Sequence, residues 1–212
     1  MRSEQYLEGR RWTFSFLVAA IGVFISYSWI DRPLSFFAHD HTKAAKIFLW
    51  MQYIPEAFPP LAAFAFIAIG LWALAKISLR PSQIVILLCS ISLFVATSIN
   101  NQLKFVFGRT WPETWFENIS LIRDGAFGFN LFHGGHDYAS FPSGHLVAVG
   151  SVMSVLWIYY PRARVLYGVC IGLVVIGLIG ANYHFLSDMI AGGFLGWLIG
   201  NATSAIWQSS RK

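Results

Sequence analysis

Seven residues in three separated stretches of this chain could between them move a phosphoryl group. The first stretch, 104–113, carries Lys104 and Arg109, fixed cations whose N–H donors suit phosphate oxygens. The second, 141–145, reads Phe-Pro-Ser-Gly-His. Pro142 and Ser143 open a helix, whose free N–H groups favour an anion, and Gly144 lets a ligand approach the backbone closely. His145 follows on that first turn. The third stretch, 182–188, carries His184 and Asp188, spaced so that one helical turn brings them to one face. A carboxylate bonded to one imidazole nitrogen fixes the tautomer and leaves the other nitrogen free as nucleophile or base. Two histidines, a carboxylate partner and an anion cradle make a minimal phosphoryl-transfer site. Taken singly, each residue has a plainer role: a helix-end histidine bonded at an interface, basic side chains anchored at headgroups, a serine capping a helix. Their order and common location carry the argument.

The elements that must position them belong to a membrane. The chain of 212 residues is 56% hydrophobic and only 12% charged, about half the charged share of a soluble domain. Mean hydropathy is +0.57, which excludes a disordered chain and argues against a soluble globule. The net charge of +5 comes from scattered cations and gives no nucleic-acid surface. Cys89 and Cys170 sit in apolar runs, so no disulfide framework or CxxC metal site is expected.

Charge-free intervals place six transmembrane helices at 12–30, 57–75, 81–103, 138–161, 165–187 and 189–210. Each is close to the roughly 20 residues that cross a bilayer core. Helices are required because lipid satisfies no backbone donors. A shorter apolar run, 47–55, reads as an interfacial helix after the first span, separated from the second by Pro55, Pro59 and Pro60. The first span lacks a small-x-small cleavage site and reads as a retained anchor. The expectation is one all-α, polytopic membrane domain over 1–212. With six spans both termini share a side, and that side holds nine of the 15 lysines and arginines. The positive-inside rule puts it in the cytoplasm. The loop after Lys104 and the turn at His184 then face outward, so the three stretches converge beneath one outer surface. Ionisable groups at membrane depth are functional-site candidates by default.

On these residues the chain resembles the type 2 phosphatidic acid phosphatase (PAP2) superfamily of membrane lipid phosphatases. The family signature has three parts: a lysine followed seven residues later by Arg-Pro, then Pro-Ser-Gly-His, then Ser-Arg with a histidine and an aspartate beyond. Lys104 and Pro112 fit the first part, Pro142 to His145 the second in full, and His184 and Asp188 the third. The likeness runs roughly over 103–196. Two positions depart. The arginine before Pro112 is Trp111, and the Ser-Arg pair is Gly177-Leu178. Arg109, in a Gly-Arg common among bacterial relatives, is a candidate substitute.

The resemblance implies a mechanism. His184 attacks phosphorus and forms a phosphohistidine, Asp188 orients it, and His145 protonates the leaving oxygen and then activates water. Lys104, Arg109, Ser143 and Gly144 hold the phosphate oxygens. It implies no metal and no cofactor. The partner is a lipid phosphate such as phosphatidic acid, phosphatidylglycerophosphate, undecaprenyl pyrophosphate or a lipid A phosphate, and the place is the bacterial inner membrane with the site facing the periplasm. The alternatives are a lipid phosphotransferase on the same site and a non-catalytic lipid-phosphate-binding membrane protein.

Elsewhere the sequence is less pointed. His133 and His136 flank Gly-Gly, whose freedom argues against a metal site, so the loop around them reads as a polar lid. His39 and His41 read as an exposed loop. Gly192, Gly193, Gly196 and Gly200 form a small-residue face for close helix packing.

Overall fold

The apolar runs of the sequence are helical. The structure, a computed structural model, describes residues 2–42, 45–113 and 117–211. In chain order the helices are α1 (Arg2–Ile25), α2 (Asp31–His41), α3 (Lys46–Gln52), α4 (Phe58–Leu74), α5 (Pro81–Phe107), α6 (Leu121–Asp124), α7 (Gly144–Tyr159), α8 (Arg164–Gly180) and α9 (Leu186–Ser209). Among the described residues, five helical runs are long and apolar enough to cross a membrane: Trp12–His41, Lys46–Leu74, Pro81–Phe107, Pro161–Gly180 and Leu186–Ser209. The fourth expected span, 138–161, is shorter than its charge-free interval. It is α7, 16 residues long and so about 24 Å, below the roughly 30 Å of a bilayer core. Ser143 caps it at one end and Tyr160-Pro161 ends it at the other.

The first run does not stop at Ile30. A π-helical turn, Ser26–Ile30, joins α1 to α2, and His39 and His41 are helical rather than in a loop. The charge at Asp31 suggested a span end, but that carboxylate is only 1% exposed and is neutralised inside the protein. The short helix expected near 47–55 is α3. A 3-10 turn, Ile54–Ala57, separates it from α4, whose first turn takes Pro59 and Pro60, where a missing N–H breaks no helical bond. α3 lies against α8. A Cβ on Gly177 would stand 2.6 Å from Met51 Cβ, so only glycine admits this approach.

α7 is the most enclosed helix, with Val147, Val149, Ser151 and Val155 at 0% exposure. Its partner is α9. A Cβ on Gly196 would lie 2.7 Å from the Val147 carbonyl oxygen, and Gly200 meets Ser151 in the same way. Small residues thus bring two backbones together where lipid offers no hydrophobic drive for association. The C-terminal ends of α2, α5 and α8 and the N-terminal ends of α3, α4, α7 and α9 gather at one end of the bundle.

Candidate active site

Each of the three stretches enters this end through a local stop or start signal. α5 carries Lys104 in its last turn and ends on Gly108 at φ +55, the left-handed cap for which glycine is suited. α7 begins after Ser143, whose Oγ accepts the Leu146 N–H at 3.5 Å. The Ser143 N–H donates to the Asp188 carbonyl at 3.0 Å, which ties the start of α7 to the start of α9. α8 ends at Gly180, and the turn through Asn182 (φ +53) delivers Tyr183 and His184 before α9 starts. His184 therefore precedes the helix and does not share its face. The Asp188 carboxylate reaches back over the first turn and accepts the Phe185 N–H at 3.1 Å.

Lys104, Gly144, His145 and His184 line one cavity of about 310 Å³. The His145 and His184 rings are 5.6 Å apart at 72°. His184 is 4% exposed, and its Nδ1 lies 3.4 Å from Asp188 Oδ2. That leaves Nε2 as the nitrogen without this partner. Burial lowers the His184 pKa from its ordinary value, opposed by the hydrogen bond and charge of Asp188. Asp188 Oδ2 also accepts the Ser140 hydroxyl at 2.6 Å. The Gly144 and His145 N–H groups are on the first helical turn and have no intrahelical acceptor. Gly144 is so placed that a Cβ would be 3.7 Å from Lys104 Nζ and 3.6 Å from Asn100 Nδ2.

Two expected phosphate ligands stand elsewhere. Arg109 is 0% exposed and does not line the cavity. Its Nη2 donates to Asp31 at 2.7 Å, and its Nη1 donates to Asp188 Oδ1 and Ser187 Oγ, both at 2.5 Å. The guanidinium carbon lies 4.3 Å from the Phe185 ring centre and 5.0 Å from that of Phe129. Two carboxylates behind the histidine hold it, so it cannot also reach a phosphate in front. Ser143 is likewise fully buried, as a helix cap.

The two departures from the signature have distinct fates. Trp111 is 4% exposed and forms a wall of the cavity, its ring 5.3 Å from that of His184. Its Nε1–H donates to the His136 carbonyl at 2.8 Å. Leu178 is 0% exposed in an apolar cluster with Leu146, Val149 and Met189.

Parts of the segments 108–113 and 117–143 fold back over the site. His136 lines the cavity, and its Nδ1 is 2.7 Å from Asn118 Nδ2, whereas His133 is exposed and packs against Tyr138. Among the described residues, no three His, Cys, Asp or Glu side chains stand together as a metal would need. Glu113 lies 2.9 Å from His39 Nδ1 and accepts from Asn182 Nδ2 at 3.1 Å. Sequence reasoning missed Asp31, Ser140, Tyr183 and Glu56. Of these Asp31 and Glu56 carried a signal, each as a carboxylate beside an apolar span, and Glu56 lines the cavity.

Comparison with known proteins identifies the family. The family model described as PAP2 superfamily matches residues 83–212. The lipid A 1-phosphatase of Rhizobium etli is 36% identical over 98 residues, which is 46% of this chain and 40% of that protein. The lipid A 1-phosphatase of Rhizobium johnstonii is 35% identical over 92 residues, 43% of this chain and 35% of that one. The alignments thus span less than half of either relative. No solved structure matches the chain. The family match takes in the three stretches 104–113, 141–145 and 182–188, and the chain belongs to the PAP2 superfamily.

Proposed function

We propose that the protein is a membrane lipid phosphatase that works through a phosphohistidine on His184. The observation that carries this is the pair of imidazoles 5.6 Å apart on one cavity, the buried ring of His184 backed by Asp188. In the first half-reaction Nε2 of His184 attacks phosphorus and an N–P bond forms. The P–O ester bond breaks, its electron pair goes to the leaving oxygen, and that oxygen takes a proton from His145. In the second half-reaction water attacks the phosphohistidine and gives a proton to His145. The N–P bond breaks, its pair returns to Nε2, and inorganic phosphate leaves. Lys104 and the first-turn N–H groups of α7 meet the phosphate oxygens as charge builds.

The lipid chain has a path. Beyond the histidines the cavity is lined by Pro59 from the first turn of α4, Thr97 from α5 and Ala148 from α7. A headgroup in the cavity can thus leave its tail at bilayer depth. The distribution of cations supports a site on the outer face of the cytoplasmic membrane. The names of the relatives direct attention to saccharolipid phosphates, with glycerolipid and polyprenyl phosphates as the comparison set.

The test is phosphate release in detergent from lipid A, phosphatidic acid and a polyprenyl diphosphate, with chelator present. Turnover of at least one substrate is expected, with loss of at least about a thousandfold in His184→Ala. An active His184→Ala protein would end the mechanism.

A further inference from the structure

The geometry points to Asp31, on the first helical run, as a positioning residue that leaves the charge of Asp188 available to His184. This rests on the reading of His184 as nucleophile. Asp31 lies outside the region matched by the family model, which starts at residue 83. Its Oδ2 accepts from Arg109 Nη2 at 2.7 Å, and its Oδ1 accepts the Ser187 N–H at 3.0 Å. The Ser187 hydroxyl also donates to Asp31 Oδ2. One carboxylate from α2 therefore grips both Arg109 and the first turn of α9, one residue before Asp188.

The charge balance is the substance of the inference. Asp31, Arg109 and Asp188 have side chains at 0% exposure, so little solvent screens them. Two carboxylates and one guanidinium leave one net negative charge beside the His184 ring. Phosphorylation at Nε2 with a proton on Nδ1 makes that ring cationic, and the leftover charge matches it. Without Asp31, Arg109 would cancel Asp188, and the developing cation would lose its counter-charge. Asp31 touches neither ring nor substrate; it acts through Arg109 and Ser187. Among the described residues, the other charged or titratable groups facing His184 are Lys104 from α5, His145 from α7, Tyr183 in the same turn, and Glu56 and His136 on the shared cavity.

The experiment compares wild type, Asp31→Asn and Asp31→Asn/Arg109→Met in detergent, reading kcat, KM, the pH–rate profile and phosphate trapped on protein in acid-labile form. For Asp31→Asn the expected result is a fall in kcat of about a hundredfold with KM changed less than about threefold. Its acid limb moves to lower pH by about one unit, because a histidine with a weaker anionic partner protonates less readily. The double variant restores the net negative charge at Asp188. It recovers at least about tenfold of the lost kcat and returns the acid limb towards wild type. A kcat and acid limb for Asp31→Asn equal to wild type overturn the inference. If the single variant does not fold, the double variant decides, since it buries no excess guanidinium. Activity with a wild-type acid limb supports the assignment, and inactivity at a wild-type melting temperature overturns it. Failure of the underlying reading looks different: wild type then traps no phosphate on protein and His184→Ala stays active.

Discussion

The imidazole of His145 meets that of His184 almost edge to face across the cavity, and only His184 has a carboxylate behind it. This asymmetry is the basis of the proposed roles and of the expected dependence on pH. Burial lowers the His184 pKa below its ordinary value near 6.5. In the proposed mechanism the neutral ring is the nucleophile, so kcat/KM should hold as pH falls through about 6.5 and be lost only below the lowered value. Stability has the same sign. The unfolded chain takes up this proton first, so acid favours unfolding. A profile of kcat/KM from about pH 4 to 9 checks the claim, and an acid limb centred above pH 7 contradicts it.

Gly144→Ala tests the cradle. The added methyl makes only ordinary contact with Asn100 and Lys104, at 3.6 and 3.7 Å, so the fold tolerates it. It occupies the side from which a phosphate oxygen would approach the helix N-terminus. The expected outcome is a loss in kcat/KM of at least about tenfold, since small displacements of a reacting group carry large rate penalties. Thermal unfolding should stay within about 2 °C of wild type, a shift of a few tenths of a kcal/mol.

Trp111 stands where the family signature has arginine. Trp111→Arg puts a second cation beside His184 at the cost of the bond to the His136 carbonyl, worth about 1 kcal/mol. A lower KM for phosphomonoesters is expected, with a lower melting temperature. Trp111→Phe should show the second effect without the first. Steady-state kinetics and unfolding of the two variants separate these contributions.

The α7–α9 contact should be intolerant of bulk. Gly196→Val forces a Cβ to within 2.7 Å of the Val147 carbonyl and the Ser151 N–H. The helices must separate, at a cost of about 1–3 kcal/mol or more. Gly168→Val, where nothing lies within 4 Å, is the matched control. Thermal unfolding of the two in one detergent reads the difference.

Much of this architecture was legible from the sequence, for reasons that also mark the limit. Lys104, His145 and His184 could be placed at one level because span ends are set by charge. Helix content followed from the requirement that lipid-embedded backbone satisfy itself. What the residues alone could not give was direction within the layer. Arg109 and Lys104 are both cations five positions apart, yet one faces the cavity and the other is turned behind it by two carboxylates. One of those carboxylates, Asp31, lies 78 positions away in sequence. The same pairing hid the true end of the first helical run, because a neutralised charge no longer marks a boundary. The extent of α7 was overstated because absence of charge between 138 and 143 does not make a helix when Pro142 and Ser143 define its start.

The link between Asp31 and Arg109 gives the first helical run a second job beyond tethering the polypeptide in lipid. A truncated protein cut where family similarity begins would keep every signature side chain and still strand a guanidinium against its only aspartate. Grafts of this fold onto a foreign leader helix would inherit the same fault unless an acidic side chain were supplied at the matching depth.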